Sequence, residues 1–276
     1  MGRVIFILVD ALGFETAVKR TGLFEHMAHE KRAAKYLVKG ELPSCSRPIY
    51  ETLMTGLPVC RHGVFTNRDV RPSRSESIFS LLKRDGRVSA AAAYMWMFEL
   101  YCGDGTPFCL TRDRFALDGR GSVDHGIFYS SDSCPDEQLY ADAEFLRKSY
   151  SPDFLLVHTM SADDAGHRFG GLSAQYAQAA ALNAELAASM LETWRNDGYD
   201  VVYTGDHGMD GLGLHGGDEE IQRMVPLYVF SDKLECGDFS KDAISQLNVA
   251  PMVCRLLELE PSREMISPDE IRWRTE

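Results

Sequence analysis

Hydrophobic positions gather in three continuous runs, Val4 to Val9, Phe154 to Val157 and Val201 to Tyr203, and each run ends shortly before an acid, Asp10, Asp163 or Asp206. Unbroken hydrophobicity suits strands buried on both faces, as in a parallel sheet covered by helices. Ser173 to Asn196 follows a helical pattern rich in Ala, Leu, Glu and Met, with Ser173 as a candidate N-cap and Gly198 beyond its end. Strand, helix and strand with short connections make a βαβ unit, which sets the acids outside the carboxyl ends of the strands, where ligands gather in open α/β sheets. The pattern therefore predicts an α/β fold with a mostly parallel central sheet flanked by helices, and the length fits one large domain or two small ones. A further strand is read over Val88 to Tyr94, and a C-terminal helix over Ile244 to Leu259, interrupted by Pro251. Residues 102–137 break the pattern, with Gly103, Gly105, Gly119, Gly121 and Gly126 set among Asp, Ser and Arg; a small loop-rich cap insertion beside the site is expected there.

Composition narrows the classes. At 45% hydrophobic and 25% charged, the chain is an ordinary globular sequence, not a disordered one. A net charge of −12 argues against a nucleic-acid-binding surface, which works by neutralising phosphates with clustered Lys and Arg. An anionic substrate would then need local positive charge, and bound metal ions would supply it. No run approaches the roughly 18 apolar residues of a membrane span. The first strand starts so close to Met1 that no signal peptide is expected, and the seven scattered cysteines contain no CxxC pair. A cytoplasmic protein is the resulting expectation.

The candidate chemistry lies where the runs end. Asp163 and His167 stand four positions apart after one run, Asp206-His207-Gly208 follows another, and His215-Gly216-Gly217 comes after a glycine-rich turn. Mixed Asp and His ligation suits zinc, with manganese or iron as alternatives. A single Asp-His pair at a strand end is more often a loop hydrogen bond; the set carries the reading, because His62, His167, His207 and His215, four of the eight histidines, lie beside glycines in expected loops. Ser46 falls in Pro43-Ser44-Cys45-Ser46-Arg47-Pro48, followed by Ile49 to Met54 and Thr55-Gly56. Pro48 fits a first helical turn and Gly56 a position just past the end, so Ser46 should sit at a helix start, either as a simple N-cap or as a nucleophile where free N–H groups receive a phosphate.

These motifs, in this order, resemble the alkaline phosphatase superfamily, and most closely its nucleotide pyrophosphatase/phosphodiesterase branch. The resemblance also takes in His62-Gly63-Val64, Asn67, Thr204-Gly205-Asp206-His207-Gly208-Met209 and Asn248-Val249-Ala250-Pro251. It implies a single alkaline phosphatase-like catalytic domain over 1–276 and two divalent cations, one held by Asp163, His167 and His215 and the other by Asp10, Asp206, His207 and the Ser46 oxygen. It further implies Ser46 as the nucleophile of a covalent intermediate, Asn67 as donor to a phosphoryl oxygen, and a small-molecule phosphate ester as substrate. Asn67 read alone would be a turn residue. Where monoesterases of the superfamily carry Lys and Arg, this chain reads Met95-Trp96-Met97-Phe98-Glu99, so a diester with an apolar or aromatic substituent resting on Trp96 is expected. Tyr94, Trp96 and Phe98 could equally be core packing. A phosphonate hydrolase or phosphomonoesterase is the alternative within the superfamily, and a catalytically silent metal-binding module the alternative outside it.

Overall fold

The first hydrophobic run forms β1 (Arg3–Val9), and its side chains divide strictly by parity. Val4, Phe6 and Leu8 enter one core layer, Ile5, Ile7 and Val9 the other, and all are fully buried. The structure, a computed structural model, describes residues 1–111 and 113–275. β1 lies at the centre of a sheet with β2 (Ala34–Lys39), β3 (Ser89–Tyr94), β4 (Phe115–Ala116), β5 (His125–Tyr129), β6 (Phe154–Thr159), β7 (Tyr199–Gly205), β8 (Met224–Phe230) and β9 (Gly237–Ser245). Their order is β4-β5-β3-β6-β1-β7-β8-β2-β9. The block β5-β3-β6-β1-β7 is wholly parallel, while β8 runs antiparallel to both β7 and β2, and β4 antiparallel to β5.

Register places the chemistry. Val9 pairs with Thr159 on one side and with Gly205 on the other, so the three strands end level. Asp10 and Asp206, each one residue further, therefore emerge side by side at the carboxyl edge. Helices cover both faces: Ala174–Asn196 and Asp136–Tyr150 on the layer of Ile5 and Ile7, Ser46–Thr55 and Val249–Leu257 on the layer of Phe6 and Leu8. Ser173 caps the long helix by accepting from the Tyr176 N–H, and Gly198 takes the left-handed conformation beyond it at φ +84°.

Two expectations change. The C-terminal helix does not begin at Ile244: Ile244 and Ser245 still belong to β9, a 3-10 turn spans Gln246–Asn248, and the helix runs Val249–Leu257. Pro251 then lies in the first helical turn, where a missing N–H breaks no bond, so it does not interrupt the helix. Residues 102–137 are only partly loop: Phe108–Thr111 is a short helix, β4 and β5 extend the sheet, and Asp136 already starts the next helix. Strands of two and five residues give weak hydrophobic signals, and the sheet edge holds them through backbone pairing. Arg112, within the expected cap, lies outside the described residues. Among the described residues no helix is long and apolar enough to cross a membrane.

Candidate functional site

Asp163 and His167 lie on one face of the helix Ser161–Phe169, a correction to the expectation that His167 sits in a loop. The loop after β7 brings His215 to them. Nε2 of His167 is 3.4 Å and Nε2 of His215 3.9 Å from Oδ1 of Asp163, and the two nitrogens are 3.3 Å apart. Asp10, Asp206 and His207 form a second, wholly buried group, with Nε2 of His207 3.2 Å from Oδ2 of Asp206 and 3.6 Å from Oδ1 of Asp10. The rings of His207 and His215 stack at 3.9 Å, so the groups adjoin. Ser46, the first residue of the helix Ser46–Thr55, stands at the border with Oγ 3.1 Å from Nε2 of His207.

Three histidines share one device. Nδ1 donates to a backbone carbonyl in each: His167 to Gly213 at 2.8 Å, His207 to Gly208 at 3.0 Å and His215 to Ser44 at 3.1 Å. This leaves the Nε2 lone pairs directed into the site, the arrangement that presents imidazole to a cation. Gly213 makes its turn possible, for it adopts φ +78° and an added Cβ would lie 2.6 Å from the carbonyl oxygen of Gly166. Ala11 also has positive φ, at 58°, and this turns its N–H back onto Oδ1 of Asp206 at 2.9 Å.

The carboxylates show what the site could hold. Oδ1 of Asp10, Oδ1 of Asp163 and Oδ2 of Asp206 are buried and have no hydrogen-bond partner, and every one belongs to a ligand group. Burial, reinforced by mutual repulsion among the three acids, holds the Asp10 and Asp163 carboxyls well above the usual range, and burial raises Asp206 to about 6. Burial likewise lowers His207 and His215 to about 3, keeping them neutral. Such a set of acids without partners, alongside neutral imidazoles, is stabilised by divalent cations, and its mixed O and N donors fit zinc.

Asn67 reaches the start of the Ser46 helix, where its Oδ1 accepts from the Arg47 N–H at 3.0 Å, leaving its amide N–H groups to donate. This narrows the expected row of free N–H groups: that of Arg47 is taken by Asn67, Pro48 has none, and that of Ile49 bonds the Cys45 carbonyl. Trp96 is half-buried, 6.3 Å from the Tyr50 ring and 5.2 Å from that of Tyr94, with the Arg47 guanidinium 4.9 Å above it. Phe98 packs in the core. His62 joins neither ligand group: it bonds Thr52 at 3.0 Å and accepts from the Val64 N–H, and burial lowers it to about 4.

Two residues at the site carry no motif. The Tyr50 hydroxyl donates to Oδ2 of Asp10, and Nε2 of His158 lies 3.4 Å from the same oxygen. Tyr50 follows Ser46 by one helical turn, a spacing that could have revealed it; His158 becomes visible only when β6 is placed beside β1.

Comparison with known proteins supplies the family and the fold. The family model described as type I phosphodiesterase / nucleotide pyrophosphatase matches residues 4–221. Human ectonucleotide pyrophosphatase / phosphodiesterase 5 superposes with a TM-score of 0.75 at 16% identity, over 98% of this chain and 99% of that one. The inactive murine counterpart in complex with AMP gives 0.72 at 14%, over 98% and 100%. At these identities the likeness is one of fold, the alkaline phosphatase-like α/β fold. The catalytic subunit of mouse GPI ethanolamine phosphate transferase 3 is 28% identical over 169 residues, 58% of this chain but 14% of that protein.

Proposed function

The chain belongs to the type I phosphodiesterase / nucleotide pyrophosphatase family, and from that premise we propose that it hydrolyses phosphoric diesters through a covalent Ser46 intermediate with two divalent cations, zinc foremost. Asp163, His167 and His215 would hold one cation, and Asp10, Asp206 and His207, with the Ser46 oxygen, the other. The observation that carries this reading is the set of buried carboxylate oxygens without partners, facing three imidazole lone pairs. When bound, the cations supply the positive charge that lowers the pKa of the serine hydroxyl and polarises the phosphoryl group.

The chain's own residues do the rest. Ser46 Oγ attacks phosphorus as the bond to the leaving alcohol breaks on the opposite side, and water then cleaves the phosphoserine ester. Asn67, its oxygen already engaged by Arg47, donates from its amide nitrogen to a nonbridging phosphoryl oxygen. Arg47 is the guanidinium next to the nucleophile, yet it is 1% exposed and bonds Glu99 at 2.5 Å, so it offers no free charge to the second negative charge of a monoester. That supports a diester substrate.

The test compares bis(4-nitrophenyl) phosphate with 4-nitrophenyl phosphate under zinc and under manganese, in the parent and in Ser46→Ala. Diester preference that vanishes with Ser46→Ala is expected; preference for the monoester would overturn the diester reading. The transferase relative favours a second reading, in which an alcohol and not water accepts the group from Ser46; product analysis with added alcohols separates the two. All seven cysteines are unpaired, which supports the reducing cytoplasm we propose as its compartment.

A further inference from the structure

A polar cluster lies in the core between the sheet and the helices Asp136–Tyr150 and Ala174–Asn196, and neither ligand group includes any of its members. Its hub is Asn183, fully buried on the long helix. The two amide hydrogens donate to Oδ2 of Asp136 at 2.7 Å and to Oγ1 of Thr159 at 3.0 Å. The amide oxygen accepts from the hydroxyls of Tyr203 at 3.1 Å and Tyr140 at 3.4 Å. An Asn side chain has two donors and two lone pairs, so its bonding capacity is used in full and its orientation is fixed. The other oxygen of Asp136, a residue 2% exposed, accepts from Oγ of Ser161 at 2.5 Å; a second approach of that hydroxyl, to the Cys134 carbonyl, is longer at 3.5 Å.

Apolar side chains of similar volume would fill this core without the cost of burying polar groups, so the use of the network lies in what it holds. Thr159 ends β6 and Tyr203 belongs to β7, the strands on either side of β1, and the Thr159 carbonyl accepts from the Asp10 N–H at 3.0 Å. Asn183 therefore reaches over β1 and ties its two neighbours together. Ser161 is the first residue of the helix that carries Asp163 and His167, so Asp136 joins that helix to the same hub. The two ligand groups differ in how much they need this. Asp10 and Asp206 leave strands already locked by the full parallel register of β1 with β7 and by the Ala11 N–H on Asp206. Asp163 and His167 stand on a nine-residue helix whose start is tied to the core through Ser161 and Asp136.

We infer that Asn183, Asp136 and Ser161 are positioning residues for the metal centre: through them the core sets where Asp163 and His167 stand relative to Asp10 and Asp206, and so governs the hold on one cation more than on the other. The inference rests on the two-cation reading above. Its test loads the protein with two equivalents of zinc, titrates it with a chelator and counts the zinc retained per chain. In Ser161→Ala one equivalent should leave at about tenfold lower chelator concentration and the other as in the parent, because loss of a supporting hydrogen bond weakens metal affinity about tenfold or more. Ser161→Thr, which keeps the hydroxyl, should restore the parent curve. Asn183→Ala should release the same equivalent at least as readily; a melt in chelator shows whether it folds, and if it does not, the two Ser161 variants decide alone. In a His167→Ala background, where the remaining zinc belongs to the Asp10 group, Ser161→Ala should change nothing. A merely structural role would loosen both equivalents together, and that result overturns the inference, as does a release curve that Ser161→Ala leaves unmoved; a parent that holds two equivalents keeps the two-cation reading standing in either case. A parent that retains fewer than two removes that reading and this one with it.

Discussion

Removing the charge of Asp206 should stabilise the metal-free protein. Asp206 is fully buried; one carboxylate oxygen accepts from the Ala11 N–H, and the other has no donor. In Asp206→Asn the oxygen can keep Ala11, and the new N–H₂ can donate to Nε2 of His207, 3.2 Å away, because the hydrogen on Nδ1 is used on Gly208. A carboxyl moved from 3.8 to about 6, chiefly by burial, corresponds to about 3 kcal/mol between the two protonation states. A raised folded-state pKa means that this stability is fully present below 3.8 and lost as pH rises through about 6. At pH 7.5 the chelated parent therefore bears the whole penalty, and at pH 5 about half of it. For 276 residues the unfolding entropy is about 0.6 kcal/mol per degree, so the variant should melt about 5 °C higher at pH 7.5 and about 2 to 3 °C higher at pH 5. Thermal melts in excess chelator at both pH values measure this. With zinc in place of chelator the order should reverse, since the parent gains ligand stabilisation that the variant loses. A variant that melts below the parent in chelator at pH 7.5, or gains equally at both pH values, would refute the account of Asp206 as a buried charge awaiting a cation.

Other perturbations probe neighbouring contacts. Tyr50→Phe removes a donor to Oδ2 of Asp10 and should weaken metal retention about tenfold in chelator competition, a readout independent of turnover; unchanged retention would mean that the hydroxyl does not orient Asp10. Asn67→Ala should lower kcat by about a hundredfold or more with little change in KM, as loss of a donor to the phosphoryl oxygen requires; a shift in Tm with kcat intact would leave Asn67 as a cap on the Arg47 N–H alone. Glu99→Ala leaves the buried Arg47 guanidinium without its carboxylate and should destabilise the fold by about 3 to 5 kcal/mol, read by denaturant unfolding. A loss under about 1 kcal/mol would show that Arg47 finds water or another partner.

Much of this was legible in the chain because each signal is local. Apolar runs such as Val4 to Val9 can only be buried, and an acid directly after one must appear at a sheet edge; Ser173 and Gly198 bound their helix by capping and left-handed geometry that any fold would use. Motif order likewise named Ser46, Asn67 and six candidate ligands, and the structure brings those six side chains into two adjoining groups that could hold metal ions. What tertiary structure decided is which of these groups meet, and in what environment. His62 looked like the other glycine-flanked histidines but packs against Thr52 away from both ligand groups, and the N–H of Arg47 is claimed by Asn67. Tyr50 and His158 acquire their places only when separate segments close on one edge of the sheet. The sequence by itself determined the strands, the caps and the kinds of donor, since these follow from burial period and side-chain chemistry. Long-range register and packing alone decided the distances and the orphaned oxygens, because these depend on which buried surfaces stack.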